Sequence, residues 1–239
     1  MITPERTIIL IPTYNEAENI GLTLQQIQAV DARFHILVLD DNSPDGTAKV
    51  VQDFPAVEGS SVSVLVRTSN KGFAQSYVDG FERVSRGNQY DAVITMDADF
   101  SHEPKELPHL LALLNAGAEI AIGSRYAKRQ QFPHISLWRR IMSKFANFYV
   151  RTVLGLPITD CTAGFIAMRT EALKKLSMNN VRTEGYGFLF QLKYRAYKAG
   201  LRMAEHAVAW PERHQGSSKM NMKRIFESFL LPWKIKFGS

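Results

Sequence analysis

Across 239 residues there is one cysteine, Cys161, so the chain forms no intrachain disulfide and no cysteine-built zinc site. A reducing compartment fits that usage best. No uncharged apolar stretch approaches the ~20 residues that span a bilayer, so no transmembrane helix is expected. Pro4, Glu5 and Arg6 precede the first short apolar run, which argues against a signal peptide. No G-x-G-x-x-G follows that run and no G-x-x-x-x-G-K-[ST] occurs anywhere, which disfavours a dinucleotide dehydrogenase and a P-loop enzyme. Internal repeats and dividing linkers are absent as well. A chain of this length buries roughly 70 to 75% of its unfolded surface in one core, so a single domain over residues 1–239 is expected.

Acidic residues are missing from one long stretch. Between Ser124 and Thr159 stand Arg125, Lys128, Arg129, Arg139, Arg140, Lys144 and Arg151 with no Asp or Glu, a charge of +7. Residues 219–239 carry a further +4, which leaves −5 for the remainder of the +6 total. An acidic body with two basic, apolar segments points to a membrane surface as partner rather than nucleic acid.

The first half alternates short β-branched runs with helical patterns, the mark of βα units on a mainly parallel sheet. Strands are expected at 7–11, 35–39, 62–67, 92–96 and 120–123, with helices at 17–30, 47–54, 74–86 and 105–115. Thr47 is placed to cap the second helix, and Pro104 suits the first turn of the fourth. The second half adds an amphipathic helix over 137–154. Leu137, Ile141, Phe145, Phe148 and Val153 share one face, with Arg140, Lys144, Asn147 and Arg151 largely opposite. The apolar face either meets a bilayer or packs into the core. A strand at 164–168, a helix at 187–199 and a strand near 207–210 complete the core. The basic amphipathic tail, 219–237, is expected to break at Pro232.

In such sheets ligands bind beyond the carboxyl ends of the strands. PTYNE follows the first strand, DDNSPDGT ends the second and DADFSHEP ends the fourth, so three acidic loops converge on one edge. Asp97 and Asp99 repel each other unless a cation lies between them. Hard oxygen ligands point to Mg²⁺ or Mn²⁺, with Ser101 or His102 completing or supporting the shell. The alternative is a solvated turn or helix cap. Asp40 and Asp41 offer an acceptor for a base or ribose, unless 43–46 is a plain turn with Asp45 preparing a helix cap. Glu16 suits a helix start, Tyr14 suits packing, and Lys71 with Gly72 is a weak phosphate signal.

The ordered set PTYNEAENI, LDDNSPDGT, NKGFAQSYVDGF, MDADFSHEP, GSRY, WRR with SKFANFYVRTVLG, DCTAGFIAMR, EGYGF and ERHQGSSKM covers nearly the whole chain. It resembles the family-2 inverting glycosyltransferases of the GT-A fold, and among them the polyprenyl-phosphate (dolichol-phosphate) mannosyltransferases. The resemblance implies an α/β, Rossmann-like sheet flanked by helices. It also implies that Pro12, Tyr14, Glu16, Leu39 and Asp41 surround the nucleoside of GDP-mannose. Asp97 and Asp99 would hold the cation, the Ala98 backbone would lie near the nucleotide, and Ser101 would be a further metal ligand, direct or through water, at a position that is Gln in some members. Arg125, Arg213 and Lys219 would meet phosphate charge, and Arg139 or Arg140 the phosphate of a polyprenyl acceptor. Asp99, Arg125 and Arg213 would then carry the catalytic charge stabilisation.

A phosphate monoester is largely an anionic nucleophile at pH 7, with a second pKa near ~6, so transfer with inversion needs no dedicated base. The EGYGF region offers Glu184 and then no carboxylate until Glu205. A peripheral position on the cytoplasmic face of a membrane follows, with the basic tail or a membrane-protein partner standing in for the transmembrane helices some family members carry. Two rivals remain open: a transferase of the same fold with another sugar or acceptor, and a non-catalytic, Mg²⁺-binding membrane adaptor.

Overall fold

The unbroken apolar run TIILIPT can satisfy its side chains only inside a sheet covered on both faces, and in the computed structural model β1 (Thr7–Thr13) is its almost wholly buried centre. The structure describes residues 1–55, 57–127, 137–176, 178, 186–209 and 222–238, with the side chains of 139, 186 and 222–228 left aside. β1 pairs in parallel with β2 (His35–Asp40) and β4 (Ala92–Thr95), and β2 with β3 (Ser61–Val66). Beyond β4 the direction reverses. β6 (Ile166–Arg169) runs antiparallel to both β4 and β5 (Ile120–Ser124), and β7 (Met203–Ala207) lies parallel to β5, giving the order β3-β2-β1-β4-β6-β5-β7.

Helices cover both faces of this mainly parallel sheet. On one face α1 (Ala17–Val30), α2 (Thr47–Gln52) and α4 (Leu107–Asn115) bury Ile20, Leu24, Ile27, Val51 and Leu110 against Ile9, Ile11, Val38 and Ile94. On the other, α3 (Phe73–Arg86), α5 (Leu137–Leu154), α6 (Thr170–Lys175), α7 (Tyr186–Lys198) and α8 (Met222–Phe237) contribute Tyr77, Phe81, Val150, Leu173, Phe188 and Ile235. Tyr77, Phe81 and Phe188 stack at centroid separations of 5.8 to 6.4 Å. α3 comes close to the sheet at Gly80, where a Cβ would meet Leu10 Cδ1 at 2.8 Å and Leu39 Cδ1 at 2.9 Å.

Three expectations are corrected, and of the two alternatives for α5 the packing of its apolar face into the core is overturned for all but Val153. The last strand is Met203–Ala207, not 207–210; every residue of MAEHA is half-buried at the sheet edge, so no apolar run marks it. Pro232 lies inside α8, whose final turn is held beyond it by buried Ile235 and by Lys236 Nζ donating to Val153 O at 2.6 Å. The cap of α2 is Gly46 at φ 90°, and the Thr47 hydroxyl instead accepts Glu16 N–H at 3.0 Å. α5 turns Asn147, Val150, Val153 and Leu154 inward and leaves Leu137, Ile141, Phe145 and Phe148 exposed. Of its predicted apolar face only Val153 is buried. The six-residue α6 had no periodicity long enough to announce it.

Candidate functional site

The loops after β1, β2, β3 and β4 each contain one non-glycine residue with left-handed backbone: Asn15, Asn42, Asn70 and Phe100, at φ 61°, 54°, 49° and 61°. Asparagine tolerates this region; phenylalanine does so at a cost of order 1–3 kcal/mol, and such strain gathers at functional sites. Phe100 directly follows Asp99.

Asp97 and Asp99 leave the carboxyl end of β4, and buried Ala98 between them anchors the loop by accepting the Thr23 hydroxyl at its carbonyl, 3.1 Å. Tyr77 donates to Asp97 Oδ1 at 3.4 Å, and Asp99 Oδ1 accepts Ser101 N–H at 3.0 Å. Burial, then the nearby Asp97 charge, pushes the Tyr77 phenol well above its ordinary range, so it stays a donor. His102 supports the loop: its Nδ1 accepts Asp97 N–H at 2.9 Å while the ring stacks on Phe165. That nitrogen is therefore engaged in the fold. Ser101 Oγ is buried with no hydrogen-bond partner among the described residues. Two carboxylates and an orphaned hydroxyl make a hard oxygen set that suits Mg²⁺ or Mn²⁺.

Glu16 stands at the start of α1, where its carboxylate accepts Asn19 Nδ2 at 2.7 Å. Burial pushes its pKa up against that hydrogen bond, and the Asp99 and Asp97 charges add to the rise. The two loops therefore share one acidic field. Tyr14 is exposed, Pro12 half-buried, and the Leu39 side chain fully buried beneath α3. Asp45 reaches across to cap α1, accepting Ala17 N–H at 3.0 Å.

The paired aspartates after β2 are both occupied. Asp40 is fully buried and accepts Thr13 Oγ1 at 3.0 Å and Ser43 N–H at 2.9 Å, as a turn anchor does. Asp41 Oδ1 is bound by the Arg67 guanidinium, and Oδ2 accepts Gly72 N–H at 2.7 Å. Arg67 also donates to Asp79 Oδ2 at 2.8 Å and Asn70 O at 2.6 Å, tying the NKGF loop to the end of β2. Sequence reasoning took Arg67 as the end of a strand; nothing local reveals that it pairs with Asp41, 26 residues earlier.

The DCTAG segment lies against the acidic loop, with the Cβ position of Gly164 at 3.8 Å from Asp97 Oδ2. Arg125, just after β5, makes a forked pair with fully buried Asp160, Nε to Oδ2 at 2.7 Å and Nη2 to Oδ1 at 2.8 Å, and also reaches Thr162 Oγ1 at 2.7 Å. Burial opposes ionisation of Asp160, but the hydrogen bonds and charge of Arg125, with Lys193 behind, hold its pKa below the ordinary value. Much of the Arg125 charge is thus answered within the fold. Lys193 of α7, fully buried, donates to Ala163 O at 2.6 Å and Cys161 O at 3.1 Å, and burial lowers its pKa to about 8. Asn147 of α5 accepts Cys161 N–H at 2.8 Å, and Glu205 of β7 accepts Thr159 N–H at 2.8 Å and Asp160 N–H at 3.0 Å. Three elements clamp one loop. Asn147, Lys193 and Glu205 read in sequence as ordinary polar positions on their elements.

Arg140 is half-buried on α5. Arg213, Lys219, Glu184 and the side chain of Arg139 lie outside the described residues. No helix among the described residues is long and apolar enough to cross a membrane.

The glycosyl transferase family 2 model matches residues 8–177, which contain all four strand-end loops and the DCTAG segment. The chain belongs to glycosyl transferase family 2. The transferase is 40% identical to polyprenol monophosphomannose synthase of Mycolicibacterium smegmatis, over 97% of this chain and 88% of that one. It is 38% identical to undecaprenyl-phosphate mannosyltransferase of Micrococcus luteus, over 90% of this chain and 88% of the relative. Its fold superposes on glucosyl-3-phosphoglycerate synthase of Mycobacterium tuberculosis, solved with Mn²⁺, UDP and glucosyl-3-phosphoglycerate, at a TM-score of 0.67 and 17% identity, covering 96% of this chain and 76% of that one. That likeness establishes the GT-A-like fold.

Proposed function

We propose that the transferase moves mannose, with inversion, from GDP-mannose to a polyprenyl monophosphate. The observation that carries this reading is the pair Asp97 and Asp99 beside the orphaned Ser101 hydroxyl, at the strand edge where a family-2 transferase receives its nucleotide sugar. Asp97 and Asp99, with Ser101, would hold Mg²⁺ or Mn²⁺. When bound, that cation neutralises the diphosphate as it departs.

The protein's own groups divide the remaining work. Asp41, paired with Arg67, would offer its remaining lone pairs to the nucleoside, and Pro12, Tyr14 and Glu16 would line the same opening. Leu39 supports that opening from the core, and Ala98 offers its backbone to the nucleotide. Arg125, set in direction by Asp160, would meet phosphate charge, a role also assigned to Arg213 and Lys219, which lie outside the described residues. Among the described carboxylates near this loop, Asp160 and Glu205 are committed to hydrogen bonds, in keeping with an acceptor that needs no general base. Arg139 or Arg140 on α5 meets the lipid phosphate.

The hydrophobic acceptor also gives a use to the exposed apolar residues of α5 and α8. Leu137, Trp138, Ile141, Phe145 and Phe148 of α5, with Phe229, Trp233 and Phe237 of α8, enter the interface of an anionic, cytoplasmic leaflet. One catalytic domain over residues 1–239 then carries its own membrane-facing elements.

The deciding assay mixes protein, Mn²⁺ and polyprenyl phosphate with GDP-mannose or competing UDP-sugars and counts sugar in extracted lipid. Mannose is expected in the lipid, with Asp99→Asn lowering turnover by roughly 100-fold or more at saturating metal. Wild-type turnover in Asp99→Asn, or transfer only from a UDP-sugar, overturns the reading.

A further inference from the structure

Three side chains that the transfer reaction does not use meet between α4 and the edge strand β7. Glu106 stands at the N-cap of α4, His109 lies three residues along the same helix, and His206 reaches in from β7. Glu106 Oε2 lies 2.7 Å from His206 Nε2 and 3.2 Å from His109 Nδ1. The two imidazoles stack with centroids 4.5 Å apart and planes within 8°. One ligand atom from each of the three residues falls within 4.8 Å of the others.

Two imidazole nitrogens and one carboxylate oxygen form a borderline donor set that prefers Zn²⁺ and its first-row neighbours over Mg²⁺ or Ca²⁺. Donors about 2.1 Å from a tetrahedral ion stand roughly 3.4 Å apart, near the 2.7 and 3.2 Å separations from Glu106 Oε2, and the stacked imidazoles rotate out of their parallel arrangement to aim both lone pairs at one ion. Glu106 and His206 side chains are 13% and 27% exposed, and His109 is 60% exposed, so the site is firm on two sides and open to solvent on the third. An imidazole nitrogen ligates through its lone pair, so ion binding displaces any proton shared between that nitrogen and Glu106. Among the described residues β7 has a single neighbour in the sheet, β5.

We propose that Glu106, His109 and His206 form a site for a divalent transition metal, with Zn²⁺ as its fitting ion, distinct from the aspartate loop after β4. The ion clasps the N-terminal turn of α4 to the edge strand and leaves a fourth position to water.

The full-length, metal-stripped protein is titrated with Zn²⁺ by calorimetry and with Co²⁺ by visible absorption. His109→Gln, His206→Gln and the double change Asp97→Asn with Asp99→Asn are measured alongside. Glutamine keeps a donor toward Glu106, and far-UV circular dichroism reports whether each variant folds. The wild type is expected to bind one Zn²⁺ that excess Mg²⁺ does not displace and that the double aspartate variant retains. Binding should weaken on the order of 100-fold in His206→Gln, with loss of the tetrahedral Co²⁺ bands and of the rise in Tm that Zn²⁺ produces. Wild-type Zn²⁺ affinity in both folded histidine variants overturns the site. So does loss of the ion from the double aspartate variant, which would place it in the acidic loop.

Discussion

α3 and α5 have the same kind of sequence and opposite fates. Each alternates apolar and polar residues at helical spacing. α3 buries its apolar stripe, Ala74, Tyr77, Val78, Phe81 and Val84, against the sheet. α5 exposes most of its stripe and packs through Asn147, Val150, Val153 and Leu154. Amphipathicity identifies a helix and its two faces, but not which face the rest of the protein receives. In α5 the inward face is chosen by a polar group, because Asn147 meets the Cys161 amide and supplies what the DCTAG backbone needs.

The sharpest break in the comparison comes from the buried stripe. Phe81→Ala in α3 is expected to lower unfolding free energy by about 3–5 kcal/mol in urea titrations, since Phe81 is fully buried in a stacked aromatic cluster. A loss below 1 kcal/mol would show that the cluster closes over the gap. On α5 the largest stability effect should come from the polar position. Asn147→Leu leaves the Cys161 amide unsatisfied, so a loss of about 1–3 kcal/mol is expected, together with lower transferase activity through a displaced Arg125.

Lys193 gives a test in pH. Its folded pKa, lowered by burial to about 8 from 10.5, means that the unfolded chain holds more protons between those values. Stability relative to Lys193→Met should therefore rise with pH across that window, by at most about 1.4 kcal/mol per pH unit. Cys161, pushed by burial up to about 12, acts in the opposite sense at higher pH, but it is present in both proteins and largely cancels in the difference. A flat difference curve would mean that Lys193 is charged and solvated. The smallest stability effect belongs to the exposed stripe. Phe145→Ser with Phe148→Ser should change unfolding free energy by no more than about 0.5 kcal/mol while reducing co-sedimentation with anionic liposomes. Equal losses of stability in this pair and in Phe81→Ala would erase the distinction between the two helices.

Much of the nucleotide half was legible before any fold was known. Strand runs, Asn-containing turns and acidic loops follow one another within a few residues, so PTYNE, DDNSP and DADFS could be placed on one edge from spacing alone. The clamps around them were not legible. Arg67 reaches Asp41, Arg125 reaches Asp160 across 35 residues, and Lys193 reaches the Ala163 carbonyl across 30. Arg67 and Lys193 look like ordinary charges in their own segments, and Arg125, expected to meet phosphate, shows nothing locally of its pairing with Asp160. β7 was misplaced for a related reason: its half-buried MAEHA is a strand only because β5 offers it a ladder from Ile120 to Ser124.

Alternation, turn residues and the order of motifs alone determined a βα sheet with three acidic loops at one end, because those features act between near neighbours in the chain. Tertiary structure decided which face of α5 turns inward, which charges are already answered, and that Glu106, His109 and His206 meet at all. Those outcomes depend on partners brought together from distant segments, whose attraction exists only after the core has closed.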